Sequence, residues 1–225
     1  MRNLKSCCLA GIVAAMGLAG CATETSTVLQ VQKVESASRP FNGVRTPIAV
    51  GKFDNRSNYM RGVFSDGIDR LSGQAKTSLV THLQQTNRFN VLERENLDEI
   101  KREAMIKNRA QKLKGADFVV TGDITEFGRK EVGDVQLFGI LGRGREQVAY
   151  AKVNLNIVNI TTSELVYSTQ GAGEYKLSNR EVIGFGGTAS YDSTLNGKVM
   201  DLAMREAVNN LVSAIESGAW KPVQQ

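Results

Sequence analysis

"AYAKVNLNIVNITTSELVYSTQ", residues 149–170, decides the class of fold. Val153, Leu155 and Ile157 alternate with asparagines, a polar "TTSE" interrupts the pattern, and 165–167 resume it. Two runs of period two around a polar turn make a β-hairpin with one face toward a core. Upstream, "GADFVVTGDITEF" predicts a buried strand over 118–127, opened by a glycine turn. "PIAVGKF" (47–53) predicts another, with Pro47 at its mouth where no ladder donor is lost.

Helices fill the gaps. In "GQAKTSLVTHLQQTNRF" (73–89), Ala75, Leu79, Val80 and Leu83 recur at helical spacing, and the helix closes before Asn87. "RFNVLER" (88–94) reads as a short strand. "ENLDEIKREAMIKNRA" (95–110) returns to helix, with Leu97, Ile100 and Ala104 on one face and acids before bases, as the macrodipole favours. A last helix over 195–217 carries a wide stripe including Val199, Leu202, Val208 and Leu211. The order β-α-β-α-β-β-β-α makes a compact α/β domain over 46–220, without internal repeats and with a short tail at 221–225.

Two segments fit that core badly: 127–148 and 171–193, each with five glycines and each continuing a confident strand. Glycine at this density weakens a strand unless another element packs on the backbone or the chain bends sharply. In the second, Tyr175, Leu177, Ile183, Phe185, Ala189 and Tyr191 share one parity around a polar "SNRE" turn (178–181), while Glu174, Lys176, Ser178 and Arg180 take the other. One face then suits lipid and the other water, with the tyrosines at an interface belt. The first contains "LFGILGRGR" (137–145), which reads foremost as a hairpin tip around Phe138, Ile140 and Leu141, then as a packed surface turn. A phosphate loop comes last, since no Lys-Ser/Thr follows and no helix opens there.

The N-terminus gives an address. "MRNLKSCC" is cationic, "LAGIVAAMGLAG" is apolar and too short to span a bilayer as a stable anchor, and residues 1–20 form a secretory signal. "LAGC" ends on Cys21, which resembles the lipobox of bacterial lipoproteins: the cysteine is acylated and becomes the new N-terminus. Ala22 in place of Asp implies release to the outer membrane, with the main domain in the periplasm. Residues 21–45 are a lipidated, flexible tether that orders near 28–34. Cys7 and Cys8 leave with the signal, so no disulfide or cysteine-metal cluster can form. Removing two cations lowers the charge from +5 to 28 − 2 − 23 = +3. No basic block stands out in that small excess, and nucleic acid is not expected as a partner.

Nor is catalysis expected. His82 is the only histidine, so neither a metal set nor a Ser-His-Asp arrangement can be assembled, and no cofactor motif is present. The acids in "ERENLDE" (93–99) read as solvated charge on a helix, and Asp117 and Asp123 as turn or cap residues.

"RFNVLERENLDEI" (88–100), "LKGADFVVTGDITEFG" (113–128), "VNLNIVNITTSELVYS" (153–168) and "AVNNLVSAIESGAW" (207–220), in that order after a lipobox, resemble the curli secretion-channel family (CsgG/HfaB-type). The resemblance implies an outer-membrane lipoprotein whose periplasmic domains assemble in a homo-oligomeric ring. Each subunit of the channel members gives two β-hairpins to one transmembrane barrel, where 127–148 and 171–193 lie here. It also implies a constriction loop between the first strand and first helix, with Asn58, Tyr59, Phe64 and Asp66 as candidates; "SDGIDR" (65–70) departs from the curli pattern. Two accounts follow. One is a pore exporting or anchoring a surface polypeptide. The other is a lipid-tethered scaffold that helps accessory lipoproteins build an envelope complex.

Overall fold

In the computed structural model, residues 31–59, 69–135, 143–181 and 195–222 are described, with 131–135, 143–146 and 177–181 described as backbone alone. Thr46–Asn55 (β1) places Ile48, Val50 and Phe53 in the core. Arg70–Gln85 (α1) follows, then Phe89–Leu92 (β2), Leu97–Ile106 (α2), Phe118–Val135 (β3), Arg143–Asn159 (β4), Leu165–Glu181 (β5) and Leu195–Ser217 (α3). The element order is the one the hydrophobic periods predict. The strands form one sheet, β2-β1-β3-β4-β5, parallel among β2, β1 and β3 and antiparallel from β3 through β5.

The inward rows of β3 and β4 are Phe118, Val120, Ile124 and Val153, Leu155, Ile157, all nearly inaccessible. α1 adds Ala75, Leu79 and Leu83, while Val80, expected on the same face, is 36% exposed. Asp69 caps α1 by accepting from the Ser72 amide at 3.0 Å and the Ser72 hydroxyl at 2.5 Å. Burial works to raise the Asp69 pKa, but these and further backbone hydrogen bonds together hold it below the ordinary carboxylate value.

α3 lies across β4 and β5, and glycine decides how closely. A Cβ on Gly171 would stand 2.1 Å from the Ala203 carbonyl oxygen, and one on Gly173 3.0 Å from the Ala203 nitrogen. The missing side chains of β5 and the small Ala203 and Ala207 of α3 let backbone meet backbone. Two glycines of the second poorly fitting segment therefore belong to the core. Gly218, at φ +76°, ends α3, and Trp220 folds under the sheet. Its ring stacks on Phe89 and Tyr167 at 6.4 and 6.0 Å and meets Phe118 edge-on at 5.5 Å.

β3 runs eight residues past its expected end at Phe127, and β5 continues through 178–181, where a turn was expected. Arg143–Glu146 of β4 pair with Glu181–Ser178, so the "SNRE" stretch is strand. Its polar composition matches a turn, but the ladder with β4 satisfies the backbone there.

Part of the expected tether is folded. Val34 and Ser36 are 2% and 1% exposed, around a 3₁₀ turn at Glu35–Ser38. The Glu35 amide donates to Asn209 Oδ1 of α3 at 3.1 Å. Arg88, 5% exposed, donates to the Ser36 carbonyl at 3.3 Å and to Glu216 at 2.7 Å, and stands over the Phe41 ring at 5.0 Å. Arg39 meets the other Glu216 oxygen at 3.1 Å. Burying Val34 contributes about 2 kcal/mol, and the arginines fix where the strap lies.

Candidate functional site

β3, β4 and β5 make a three-stranded ribbon that outruns the rest of the sheet. At 3.3 Å per residue, an 18-residue strand such as β3 is about 60 Å long. α3 starts beside its middle: Arg129 Nε donates to Asn196 Oδ1 at 2.7 Å, and the Lys198 ammonium stands 5.3 Å from the Tyr175 ring centroid.

Above these rows the register reads, from β3 through β4 to β5, Lys130–Val148–Lys176, Glu131–Gln147–Leu177, Val132–Glu146–Ser178, Gly133–Arg145–Asn179, Asp134–Gly144–Arg180 and Val135–Arg143–Glu181. Consecutive rows belong to opposite faces of a pleated sheet. Nine of these eighteen residues are charged: Lys130, Lys176, Glu146, Asp134 and Arg180 in one set of rows, Glu131, Arg145, Arg143 and Glu181 in the other. Acids and bases occur in both sets, so neither face of this stretch is apolar.

The loop between β1 and α1 begins beside the ribbon. Tyr59 packs edge-on against Phe127 of β3 at 4.7 Å, and its hydroxyl accepts from Asn196 Nδ2 at 2.9 Å. The loop, β3 and the start of α3 are thus tied at one point. Asn55 holds the turn before it, accepting from the Ser57 amide at 3.0 Å. Of the four gate candidates, Asn58 is exposed and Tyr59 is half-buried in this knot; Phe64 and Asp66 lie outside the described residues. Among the hairpin candidates, Tyr175 is 38% exposed, and Leu177 sits in β5 opposite Gln147. Phe138, Ile140, Leu141, Ile183, Phe185 and Tyr191 lie outside the described residues, as does Cys21.

His82 is 1% exposed. Its Nε2 meets Asp201 Oδ1 of α3 at 2.8 Å, and the Ser78 hydroxyl donates to the same oxygen at 2.8 Å. The His82 hydrogen bond holds the Asp201 carboxyl below its ordinary value, burial opposes it, and Ser78 assists. Ser, His and Asp do meet here, against the expectation drawn from the single histidine, since such a set needs only one; but the serine bonds to the carboxylate and not the imidazole, so no base activates it. The cluster clamps α1 to α3. Asp123, expected at a turn, lies inside β3 and pairs with Arg56 at 2.6 Å. Among the described residues no three His, Cys, Asp or Glu side chains gather as metal ligands do.

Sequence reading alone passed over Gly171 and Gly173 as core, Arg88 as the strap's anchor and Asp201 as the partner of His82. The signals were faint: the i, i+4 pair Ser78 and His82, and small residues every fourth position at Val199, Ala203 and Ala207.

The architecture is that of a mixed α/β domain whose antiparallel half extends into a long ribbon. Residues 26–225 match the family described as "Curli production assembly/transport component CsgG". The chain belongs to the CsgG family. A protein of Neisseria meningitidis serogroup B (strain ATCC BAA-335 / MC58) named as a lipoprotein, NMB1126/NMB1164, is 69% identical over 209 residues, 93% of this chain and 94% of that one. Among solved structures, the PelC dodecamer from Paraburkholderia phytofirmans is similar at 11% identity and a TM-score of 0.35, over 73% of this chain and 87% of that chain. The lipoprotein GNA1162 from Neisseria meningitidis is similar at 13% identity and a TM-score of 0.37, over 76% and 99% of the two chains.

Proposed function

We propose that this protein is an envelope lipoprotein, acylated at Cys21 and held at the outer membrane, whose periplasmic domain serves as an assembly scaffold. The ribbon is its docking arm, presented to neighbouring copies or to accessory envelope lipoproteins. The charge placement above Arg129 carries this reading: both sets of alternate rows contain acids and bases. A lysine or arginine on a lipid-facing strand costs about 2–4 kcal/mol at the bilayer midplane. Whichever face this stretch turned to lipid, it would bury several charges. The uncharged run 135–142 is eight residues long, fewer than the roughly 9–11 that one membrane strand needs.

A second reading keeps the pore: a homo-oligomeric ring that exports or anchors a surface polypeptide, each copy giving strands to a shared barrel. Strand length favours it, since β3, β4 and β5 exceed what a membrane strand needs, and so does the family's description as a transport component. In that case Phe138, Ile140, Leu141, Ile183, Phe185 and Tyr191 would supply the lipid-facing positions and Asn58, Tyr59, Phe64 and Asp66 the constriction.

Native mass in mild detergent, paired with single-channel recording on the same lipidated sample, separates the two. The scaffold reading expects no steady conductance, from a small species or from a ring. A large ring that conducts steadily sinks it and makes the ribbon a barrel wall.

A further inference from the structure

α2 and the loop after it form an arm that the fold leaves uncovered. α2 buries none of its residues. The arm is closed at its base where Arg94 donates to the Lys114 carbonyl at 2.7 Å, and Lys76 of α1 pairs with Glu95 beside it. Asn108, at φ 51°, turns the chain out of the helix, and the Arg109 amide donates to the Ala104 carbonyl at 2.9 Å.

Two properties coincide on the far part of this arm. Met105, Ile106 and Leu113 are 64%, 71% and 61% exposed. Around them, residues 101–114 hold six lysines and arginines against one acid, Glu103, a net +5. Without Arg2 and Lys5 of the expected signal the chain carries 26 cations and 23 acids, so the residues outside the arm hold 26 − 6 = 20 against 23 − 1 = 22, a net −2. The protein's entire formal excess sits on one exposed arm of fourteen residues. All six cations are exposed, and none forms an ion pair with a described residue.

We infer that residues 101–114 dock on an anionic phospholipid surface, with Met105, Ile106 and Leu113 entering the headgroup boundary and Lys107, Arg109 and Lys112 meeting the phosphates. Apolar side chains flanked by cations on a helix end and loop are what interfacial binding requires. A folded protein partner would select for a shaped apolar patch; here the adjacent Met105 and Ile106 and the separate Leu113 are each bordered by cations, which suits a fluid surface. The site makes a second membrane contact beside any acyl anchor, and it stands under either functional reading.

The test uses the chain from Ala22 onward, which lacks the acylated cysteine and keeps the whole compact unit Lys33–Gln225. Sedimentation is measured with vesicles of phosphatidylglycerol and phosphatidylethanolamine in equal parts, and with phosphatidylcholine alone. Binding is expected to the first and not the second, weakening as salt rises. Each cation contributes about a fivefold change in partition coefficient, so K107Q/R109Q/K112Q is expected to lose about a hundredfold. M105S/I106S is expected to lose about tenfold or more, with melting temperatures unchanged because every altered residue is exposed. Equal binding to both vesicles, or equal binding by the parent and the triple-charge variant, overturns the inference. So does a M105S/I106S variant that binds like the parent while inorganic phosphate competes the protein off, since that is ion exchange and not docking on a bilayer.

Discussion

α3 buries ten residues against the sheet and α1, whereas α2, with an amphipathic pattern of its own, buries none. The difference lies in what each helix finds opposite it. α3 meets a strand whose Gly171 and Gly173 let its backbone settle onto Ala203 and Ala207. α2 leaves the sheet between Arg94 and Lys114 and finds no described strand surface to cover. A hydrophobic stripe states that a helix has a face to bury; only the partner's surface decides whether it does.

The largest effect expected from this contrast is at the glycines. Gly171→Val inserts three carbons where a Cβ alone would stand 2.1 Å from a carbonyl oxygen, and it should destabilise by about 3 kcal/mol or more. Urea unfolding reads it directly; a midpoint close to the parent's would mean α3 does not sit on β5 as described. Next comes Arg88→Ala, which strips the strap of its anchor and leaves Glu216 without its buried partner. Because Glu216 is 35% exposed, about 2 kcal/mol is expected, together with faster proteolysis at residues 33–45. Unchanged protease resistance there would break the claim that Arg88 holds the strap.

A smaller, pH-dependent effect attaches to Asp201. Its carboxyl is lowered in the fold, chiefly by His82, so the stability it contributes is present above the unfolded value of about 3.9 and is lost as pH falls through the folded one. Asp201→Asn should therefore flatten the acid limb of the stability profile below about pH 4. If parent and variant lose stability in parallel on acidification, the carboxylate is not the group responsible. Least of all, Ile100→Ser on α2 should shift stability by no more than about 0.5 kcal/mol, since Ile100 is 39% exposed. A loss of several times that would show that α2 is covered in solution and would erase the contrast with α3.

Much of this architecture could be read from the chain. Alternation at Val153, Leu155 and Ile157 located β4, and the stripe from Leu195 to Ile215 located α3 with the bounds the structure shows. The misreadings share a cause. Gly128, Gly171 and Gly173 look like interruptions in a one-dimensional pattern, because a glycine against a helix and a glycine in a turn leave the same letter. "SNRE" looks like a turn because its composition is polar, whereas ladder pairing depends on strand residues 32 to 38 positions away. The site was less legible than the fold. Tyr59 was singled out, but the Phe127 and Asn196 that immobilise it come from β3 and α3 and could not be foreseen from its neighbours.

The docked strap also sets a length. If Cys21 carries the proposed anchor, twelve residues stand between it and Val34, and an extended chain across those thirteen steps reaches at most about 45 Å. Were the strap loose, the anchor would lead instead to Thr46, the start of β1, and the reach would grow to about 85 Å. On the proposed lipid anchoring, Arg88 and Glu216 act as a buckle on a leash, setting how much chain lies between the anchor and the domain.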